Sequence, residues 1–367
     1  MKIGFDISQT AESKAGCGFF ADQLIRAIAQ VDNLNEYTLY PIFYDYRPLN
    51  TEHATHVEKK NFKNSSKDAP DFLKGCSDEL DIIHSNNFRF PYGTMAKKIV
   101  TIYDICFFEY PEYTTEANRL FCYQGTFDAM LQADKIIAIS QYTKKRLLHF
   151  FPNTDEKKIE VVYCGNRSTL LLEQKNQGIL DKYDLKENDY FLSVGTIEPR
   201  KNYHALLSAF AEYRKKAKHY KKLCIAGGYG WLEENFKEKI ADLGLVDDVV
   251  VTGYVSDEEL ANLYRYCYTF IYPSWYEGFG LPVLEAMNFG KPVIASNVTS
   301  IPEITGKSAI LINPHQPDEI TVGMWRLEDD LALFNKLADE GKERASLFSW
   351  DKAAKETIKI YQDLLLK

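Results

Sequence analysis

Short, continuous apolar runs rich in β-branched residues recur along the chain, spaced widely enough to leave a helix between them. In the first half they are KIGFDI (2–7), YTLYPIFY (37–44), DIIHS (81–85), KIVTIYD (98–104), KIIAIS (135–140) and IEVVYCG (159–165). In the second half they are YFLSVG (190–195), KLCIAG (222–227), VVVTGY (249–254), TFIYPS (269–274), PVIAS (292–296) and AILI (309–312). Unbroken apolar runs, rather than strict alternation, suit strands buried on both faces of a parallel sheet. The second-half gaps carry helical periodicity: Tyr203, Leu206, Leu207, Phe210 and Tyr213 fall on one face, behind a candidate N-cap at Asn202. Alternating strand and helix predicts an α/β protein with doubly wound parallel sheets, whose ligands sit at the carboxyl ends of the strands.

The strands form two sets, and 367 residues at roughly 150 per domain also give two domains. The apolar pattern lapses into polar and charged residues between them. The boundaries expected are therefore an N-terminal Rossmann-like domain at 1–165, a linker at 166–188 and a C-terminal Rossmann-like domain at 189–349. A last helix, 350–367, lies beyond the second sheet and could pack on either domain.

A net charge of −8 argues against holding nucleic acid, which needs clustered excess Lys and Arg to neutralise phosphates. A small phosphorylated ligand needs only one or two local cations. The seven cysteines (17, 76, 106, 122, 164, 224 and 267) show no CxxC or metal-ligand spacing, so neither a zinc site nor a disulfide framework is expected, and reduced thiols fit a cytoplasmic setting. The start MKIGFDIS has no basic region leading into an apolar one, and no apolar run approaches the roughly 20 residues of a membrane span. An aromatic content of 14% with several Lys-bearing helices leaves peripheral contact with a membrane open.

The segment richest in chemistry is PSWYEGFGLPVLEAMNFGKPVIAS (273–296). A strand ends in a loop holding Glu277, Gly278, Phe279 and Gly280, and Leu281-Pro282 then opens a helix, where proline's missing N–H costs nothing. The glycines let backbone approach a ligand, and the new helix offers free N–H groups suited to phosphate. Glu285 is placed in the first helical turn. Two carboxylates thus border one region and can accept charge-assisted hydrogen bonds from vicinal hydroxyls. The plainer alternative is that Glu285 complements the helix dipole and Glu277 is solvated.

The spacing of Glu277 and Glu285 within EGFGLPVLE resembles the EX7E motif of the GT-B retaining glycosyltransferases, specifically family 4. That resemblance implies two Rossmann-like domains facing a central cleft. It also implies that Glu285 binds the ribose diol of a nucleotide-sugar and Glu277 contacts the transferred sugar. The segment Thr196–Asn202 (TIEPRKN) resembles the family's GTxEPRKN loop, which gives Arg200 and Lys201 the donor diphosphate; without that match, an Arg-Lys pair before a helix is more often a solvated surface than a site. TGYVSDEEL (252–260) resembles the loop that meets the nucleobase, making Tyr254 and Val255 base neighbours, or else an ordinary strand end before a helix capped by Ser256.

The first half resembles the family less tightly. AGCGFF matches its glycine-bearing first loop, so Gly16 and Gly18 would allow close approach of donor phosphate and acceptor. It is not GxGxxG, which leaves a nicotinamide dehydrogenase poorly supported. Many relatives have His-Asp where this chain has Tyr103-Asp104, and the family's histidine lies near the sugar. His84, at the carboxyl end of its strand, could face the cleft or be a satisfied core histidine. The family also returns its C-terminal helix to the first domain, as the 350–367 helix would.

The activity implied is retaining transfer of a hexose, with GDP-mannose the favoured donor and UDP-sugars the alternative. The acceptor would be a glycan or lipid-linked saccharide in surface polysaccharide synthesis. Same-face attack assisted by donor phosphate needs no protein nucleophile. No cofactor and no divalent metal are expected, and the chain lacks a DxD motif. A sugar-nucleotide epimerase would use the same architecture but has no matching acid/base set. A catalytically silent nucleotide-sugar-binding subunit is the alternative that Tyr103 favours.

Overall fold

A computed structural model describes residues 1–10, 16–41, 54–64, 79–91, 94–166, 175–217, 219–231 and 235–366. The chain divides into two compact units, one of Met1–Gly165 with Ser349–Lys367 and one of Asn166–Phe348.

In the first unit, seven strands pair in parallel among the described residues: β1 (Lys2–Asp6), β2 (Glu36–Tyr40), β3 (Phe62–Asn64), β4 (Ile82–Ser85), β5 (Lys97–Ile102), β6 (Lys135–Ala138) and β7 (Ile159–Val161). Their order is β3-β2-β1-β4-β5-β6-β7. Connecting helices are α1 (Cys17–Val31), α2 (Cys106–Glu109), α3 (Glu116–Gln132) and α4 (Gln141–Phe150). α4 starts where the Ser140 hydroxyl accepts from the Thr143 N–H at 3.0 Å. The strands buried on both faces are those read from the sequence, with residues 42–44 of the second run outside the described residues. β3 is an addition, three residues of mixed polarity in a lysine-rich stretch, paired to β2 and anchored by its one apolar residue, Phe62, which is buried and stacks on Tyr37 at 4.7 Å.

The second unit has six parallel strands among the described residues: β8 (Tyr190–Val194), β9 (Lys222–Ala226), β10 (Val249–Gly253), β11 (Thr269–Tyr272), β12 (Val293–Ser296) and β13 (Ile310–Ile312). The order β10-β9-β8-β11-β12-β13 reverses direction between β8 and β11, the position at which open α/β sheets bind ligands. Its helices are α5 (Gly178–Lys182), α6 (Tyr203–Lys216), α7 (Phe236–Asp242), α8 (Asp257–Tyr266), α9 (Leu281–Asn288), α10 (Ile301–Thr305), α11 (Pro317–Asp329) and α12 (Leu331–Ser346). α6 buries the face predicted for it, Tyr203, Leu206, Leu207, Phe210 and Tyr213, in one core with Phe191, Leu223, Ile225 and Ile271. At the start of α8, Ser256 and Glu259 form a reciprocal capping box.

The 166–188 segment differs from the linker reading. Residues 167–174 lie outside the described residues, but Ile179 and Leu180 of α5 are buried and Asn176 N–H donates to Asn262 Oδ1 at 2.9 Å. Two apolar side chains among polar ones suffice to seat this short helix on the second unit.

The last helix, α13 (Trp350–Leu365), is capped by Ser349 and belongs to the first unit. It packs along α1, and Trp350 meets Phe19 and Phe20 edge-on at 6.1 and 5.6 Å. Among the described residues, no helix is long and apolar enough to cross a membrane.

Candidate active site

Buried charges, Glu198, Lys201 and Glu277, gather at the carboxyl ends of β8 and β11. After β8, Pro199–Lys201 forms one turn of 3-10 helix, and after β11 the loop 273–280 runs to α9. Because β8 and β11 are neighbours at the switch point, these two loops, more than 70 residues apart in sequence, come together.

Glu277 is buried and fully engaged. Lys201 Nζ donates to its Oε1 at 2.7 Å, and Arg200 Nη1 to its Oε2 at 3.0 Å. Burial alone would raise the Glu277 pKa, but Arg200 and Lys201 outweigh it and hold the carboxyl at about 2. Burial and the neighbouring Arg200 push the Lys201 ammonium below its ordinary value, against the pull of Glu277. Lys201 is also fixed by the Tyr272 hydroxyl, which accepts at 2.6 Å, and lies over the Tyr272 ring at 4.8 Å. Arg200 is clamped on its other side, Nη2 donating to Glu198 Oε1 at 2.6 Å and Nη1 also to the Tyr276 carbonyl at 3.0 Å.

Backbone tethers hold the loops in place. Asn202, at φ +58°, does not cap α6 with its side chain, in contrast to the sequence expectation. Its Nδ2 instead donates to the carbonyls of Pro273 and Pro314, both at 3.1 Å, joining the loops after β8, β11 and β13. Trp275 N–H donates to the Arg200 carbonyl at 2.9 Å. Glu277 N–H donates to Thr299 Oγ1 at 3.1 Å, and the Ser300 hydroxyl lies 2.9 Å from both the Glu277 and Phe279 carbonyls.

Gly278, Phe279 and Gly280 are buried, and Gly280, at φ +108°, leads into α9. A Cβ there would meet Ile301 Cδ1 at 2.7 Å, so glycine is required for both backbone and packing reasons. α9 begins at Leu281 with Pro282 beside it, which places Glu285 in the second turn rather than the first. Glu285 is buried there. In the loop after β10, the Tyr254 side chain is 79% exposed while Val255 is buried.

The remaining candidates belong to the first unit. Gly16, at φ +51°, and Gly18 open α1. The Tyr103 hydroxyl is buried and donates to backbone, with the Asn86 carbonyl at 2.8 Å and that of Cys17 at 3.3 Å. Asp104 Oδ1 accepts from Cys106 N–H at 3.0 Å in a local turn. His84 is a core residue with both ring nitrogens bonded, and burial pushes its pKa down to about 3.

Glu198, Tyr272, Thr299 and Ser300 were not singled out from sequence. Glu198 lies inside TIEPRKN and Tyr272 ends the TFIYPS strand; only the pairing of β8 with β11 reveals what they touch. Thr299 and Ser300 precede Pro302 like an ordinary helix start, yet they hold the Glu277 loop. Among the described residues, no group of three His, Cys, Asp or Glu side chains is placed to hold a metal ion. The polar groups presented are two anchored cations, buried carboxylates and a helix opening.

Two α/β units, each with strands running outward from β1 or β8 in the order of a doubly wound sheet, define a GT-B fold. The fold agrees with that of Anabaena HepE crystallised with UDP and glucose, at a TM-score of 0.76 and 18% identity, covering 99% of this chain and 100% of the other. Residues 176–344 match the model of glycosyl transferases group 1. The chain is 30% identical over 283 residues to the O-antigen chain mannosyltransferase B of Escherichia coli, covering 77% of this chain and 74% of the relative. It is also 30% identical over 261 residues to the serotype-specific mannosyltransferase WbdA of Escherichia coli, which takes in 69% of this chain but only 32% of that longer protein. The chain therefore belongs to the group 1 glycosyl transferases and is a glycosyltransferase.

Proposed function

We propose that the enzyme transfers a hexose with retention of configuration, GDP-mannose being the favoured donor, to a glycan or lipid-linked saccharide in surface polysaccharide synthesis. The observation that carries this reading is the Arg200–Glu277–Lys201 cluster at the switch point of the second unit. The mannosyltransferase relatives favour the donor sugar and the class of acceptor. UDP-sugars remain the alternative donors, since Anabaena HepE binds UDP with glucose.

Transfer requires the anomeric bond to loosen while negative charge grows on the departing diphosphate. Cations fixed before the reaction stabilise that charge without reorganising. In this reading Arg200 and Lys201 meet the diphosphate and the N–H groups of the Gly280–Leu281 opening add to them. Glu277 turns to hydroxyls of the transferred sugar, Glu285 takes the ribose diol, and Tyr254 and Val255 lie by the base. Gly16 and Gly18 admit the donor phosphate and the acceptor. The acceptor proton passes to the donor phosphate, so neither a protein nucleophile nor a divalent metal takes part.

Peripheral membrane contact belongs to the same proposal. Leu120, Tyr123, Phe127 and Leu131 are exposed, and their spacing sets them along one side of α3.

The deciding experiment is a thermal-shift panel of GDP-, UDP-, dTDP- and ADP-sugars followed by transfer assays with those that bind, since a ligand held by the folded state alone raises its melting temperature. GDP-mannose should give the largest shift. A larger shift with a UDP-sugar would overturn the donor assignment. A second reading, a silent nucleotide-sugar-binding subunit, is favoured by the Tyr103 hydroxyl being committed to backbone carbonyls. Binding of GDP-mannose with neither hydrolysis nor transfer would establish it.

A further inference from the structure

The first unit has a switch point of its own, between β1 and β4. Asp6 and Asn86 bridge the two strand ends that flank it. Asn86 N–H donates to Asp6 Oδ2 at 3.0 Å, and Asn86 Nδ2 to the Asp6 carbonyl at 2.9 Å. The other two polar atoms of Asn86 are also used: its side-chain oxygen accepts from Thr101 Oγ1 at 3.1 Å, and its carbonyl accepts from Tyr103 Oη at 2.8 Å. Asp6, Asn86 and Thr101 are fully buried. A buried polar residue with every group satisfied has one low-energy placement.

The network continues in a single direction. Because Asn86 Nδ2 is spent on Asp6, its Oδ1 must accept, so Thr101 gives its only hydroxyl proton to Asn86. Thr101 Oγ1 must then accept from His84 Nε2, 2.8 Å away. This puts the imidazole proton on Nε2 and leaves Nδ1 to accept from the Tyr361 hydroxyl at 2.6 Å. Tyr361 lies in α13, 277 positions along the chain from His84. Beyond Asn86 the backbone turns sharply, with Phe88 at φ +59° and Arg89 N–H donating to the Asn87 carbonyl at 2.6 Å. A non-glycine residue in that conformation persists only where its surroundings over-determine it.

We propose that Asn86 is a positioning residue for the acceptor side of the transfer, and that Tyr361, His84 and Thr101 are the relay through which the C-terminal helix holds it. This rests on the reading above, in which acceptor and donor phosphate approach the first unit's strand ends. The relay fixes the 86–88 turn and the Tyr103–Asp104 strand end against each other, so the acceptor meets a preformed surface.

The test compares Thr101→Val, which keeps the shape but removes the relay's hydroxyl, with Thr101→Ser, which restores it, and with Tyr361→Phe. GDP-mannose is the donor and methyl α-mannopyranoside the acceptor probe, and amide hydrogen exchange across residues 84–91 is followed in the same proteins. Thr101→Val should raise the acceptor KM about fivefold or more, leave the GDP-mannose KM within about twofold and speed exchange at the turn, and Thr101→Ser should reverse all three effects. Tyr361→Phe should shift the same quantities by less. Parental acceptor KM and exchange in Thr101→Val, equal losses in both KM values, or failure of Thr101→Ser to rescue would each overturn the proposal. A parent enzyme that moves no mannose would instead count against the functional reading, and the exchange comparison would still decide whether the relay holds the turn.

Discussion

Lys201 Nζ and Glu277 Oε1 are 2.7 Å apart, with neither side chain more than a tenth exposed. A buried pair of this kind stabilises little by itself, because desolvating both charges offsets most of their attraction. Its value lies in placement. Tyr272 and Glu277 hold the ammonium from two sides at the carboxyl edge of β11, and Glu198 and Glu277 hold the guanidinium of Arg200 in the same way. Both cations are therefore held in fixed orientations, and in the proposed reading a diphosphate would meet them already placed.

Lys201→Ala should remove one charge-assisted contact to the leaving group, worth roughly 1.5 to 3 kcal/mol, and lower kcat/KM for the donor about ten- to hundredfold. Initial rates over a range of donor concentrations would measure this. Parental kcat/KM in the variant would remove Lys201 from the mechanism.

Tyr272→Phe deletes only the hydroxyl that steadies Lys201 and leaves the ring beneath the ammonium. The loss of one hydrogen bond of about 1 kcal/mol should raise the donor KM about fivefold, well short of the effect of Lys201→Ala. An effect as large as that of Lys201→Ala would mean that Tyr272 touches the substrate itself.

Much of this arrangement is legible from the chain, because strands buried on both faces leave apolar runs that a parallel sheet explains. The Tyr203 to Tyr213 face and the Ser256 cap are local patterns and follow directly. β3 escapes because its three residues, Phe62–Asn64, hold a single apolar residue and no run. Asn202 shows the limit of local signals: the residue type and position of an N-cap are present, but the left-handed backbone turns its amide toward Pro273 and Pro314. The pairing of Arg200 and Lys201 with Glu277 depends on which strands lie side by side, and the meeting of His84 with Tyr361 joins residues 277 positions apart. No short-range pattern encodes either.

Gly280→Ala should destabilise the second unit. The new Cβ would strain a backbone at φ +108° and press on Ile301 Cδ1, at a combined cost of about 2 to 4 kcal/mol. Thermal melts of the parent, Gly280→Ala and Gly280→Ala with Ile301→Val would separate the two effects, because the second change relieves only the steric contact. An unchanged melting temperature in Gly280→Ala would contradict the geometry described for the opening of α9.

The exposed side of α3 provides a test of peripheral membrane binding. Leu120, Tyr123, Phe127 and Leu131 each leave between 44% and 65% of their surface open, while Gly125, Thr126, Ala129 and Met130 face the protein. Inserting one Leu or Phe into the acyl boundary contributes about 1.5 to 3 kcal/mol, so Phe127→Asp with Leu131→Asp should lower co-sedimentation with phosphatidylglycerol vesicles about a hundredfold or more. Equal sedimentation of parent and double variant would show that this face does not meet lipid.

The relay in the first unit predicts an unusual pH dependence of stability. Burial lowers the His84 pKa from 6.5 to about 3, so between those values the unfolded chain carries a proton there that the folded one does not. Stability from His84 is therefore complete above pH 6.5 and is lost as pH falls toward 3. Asp6 works in the opposite direction: burial, only partly offset by its bonds from Ser8 and Asn86, raises its pKa from 3.8 to about 6, so its ionisation costs stability as pH rises through that range. Over the overlap the two slopes cancel, and the parent should be nearly indifferent to acid where these groups titrate. Replacing His84 with Gln removes one slope while keeping a donor for Thr101 and an acceptor for Tyr361. On moving from pH 7 to pH 5, chemical denaturation should show His84→Gln gaining about 2 kcal/mol relative to the parent, the cost of charging a group whose unfolded pKa is 6.5. A difference between the two proteins that stays constant across this interval would mean that the imidazole is protonated in the folded state, and the direction of hydrogen bonding from Tyr361 to Asn86 would then be wrong.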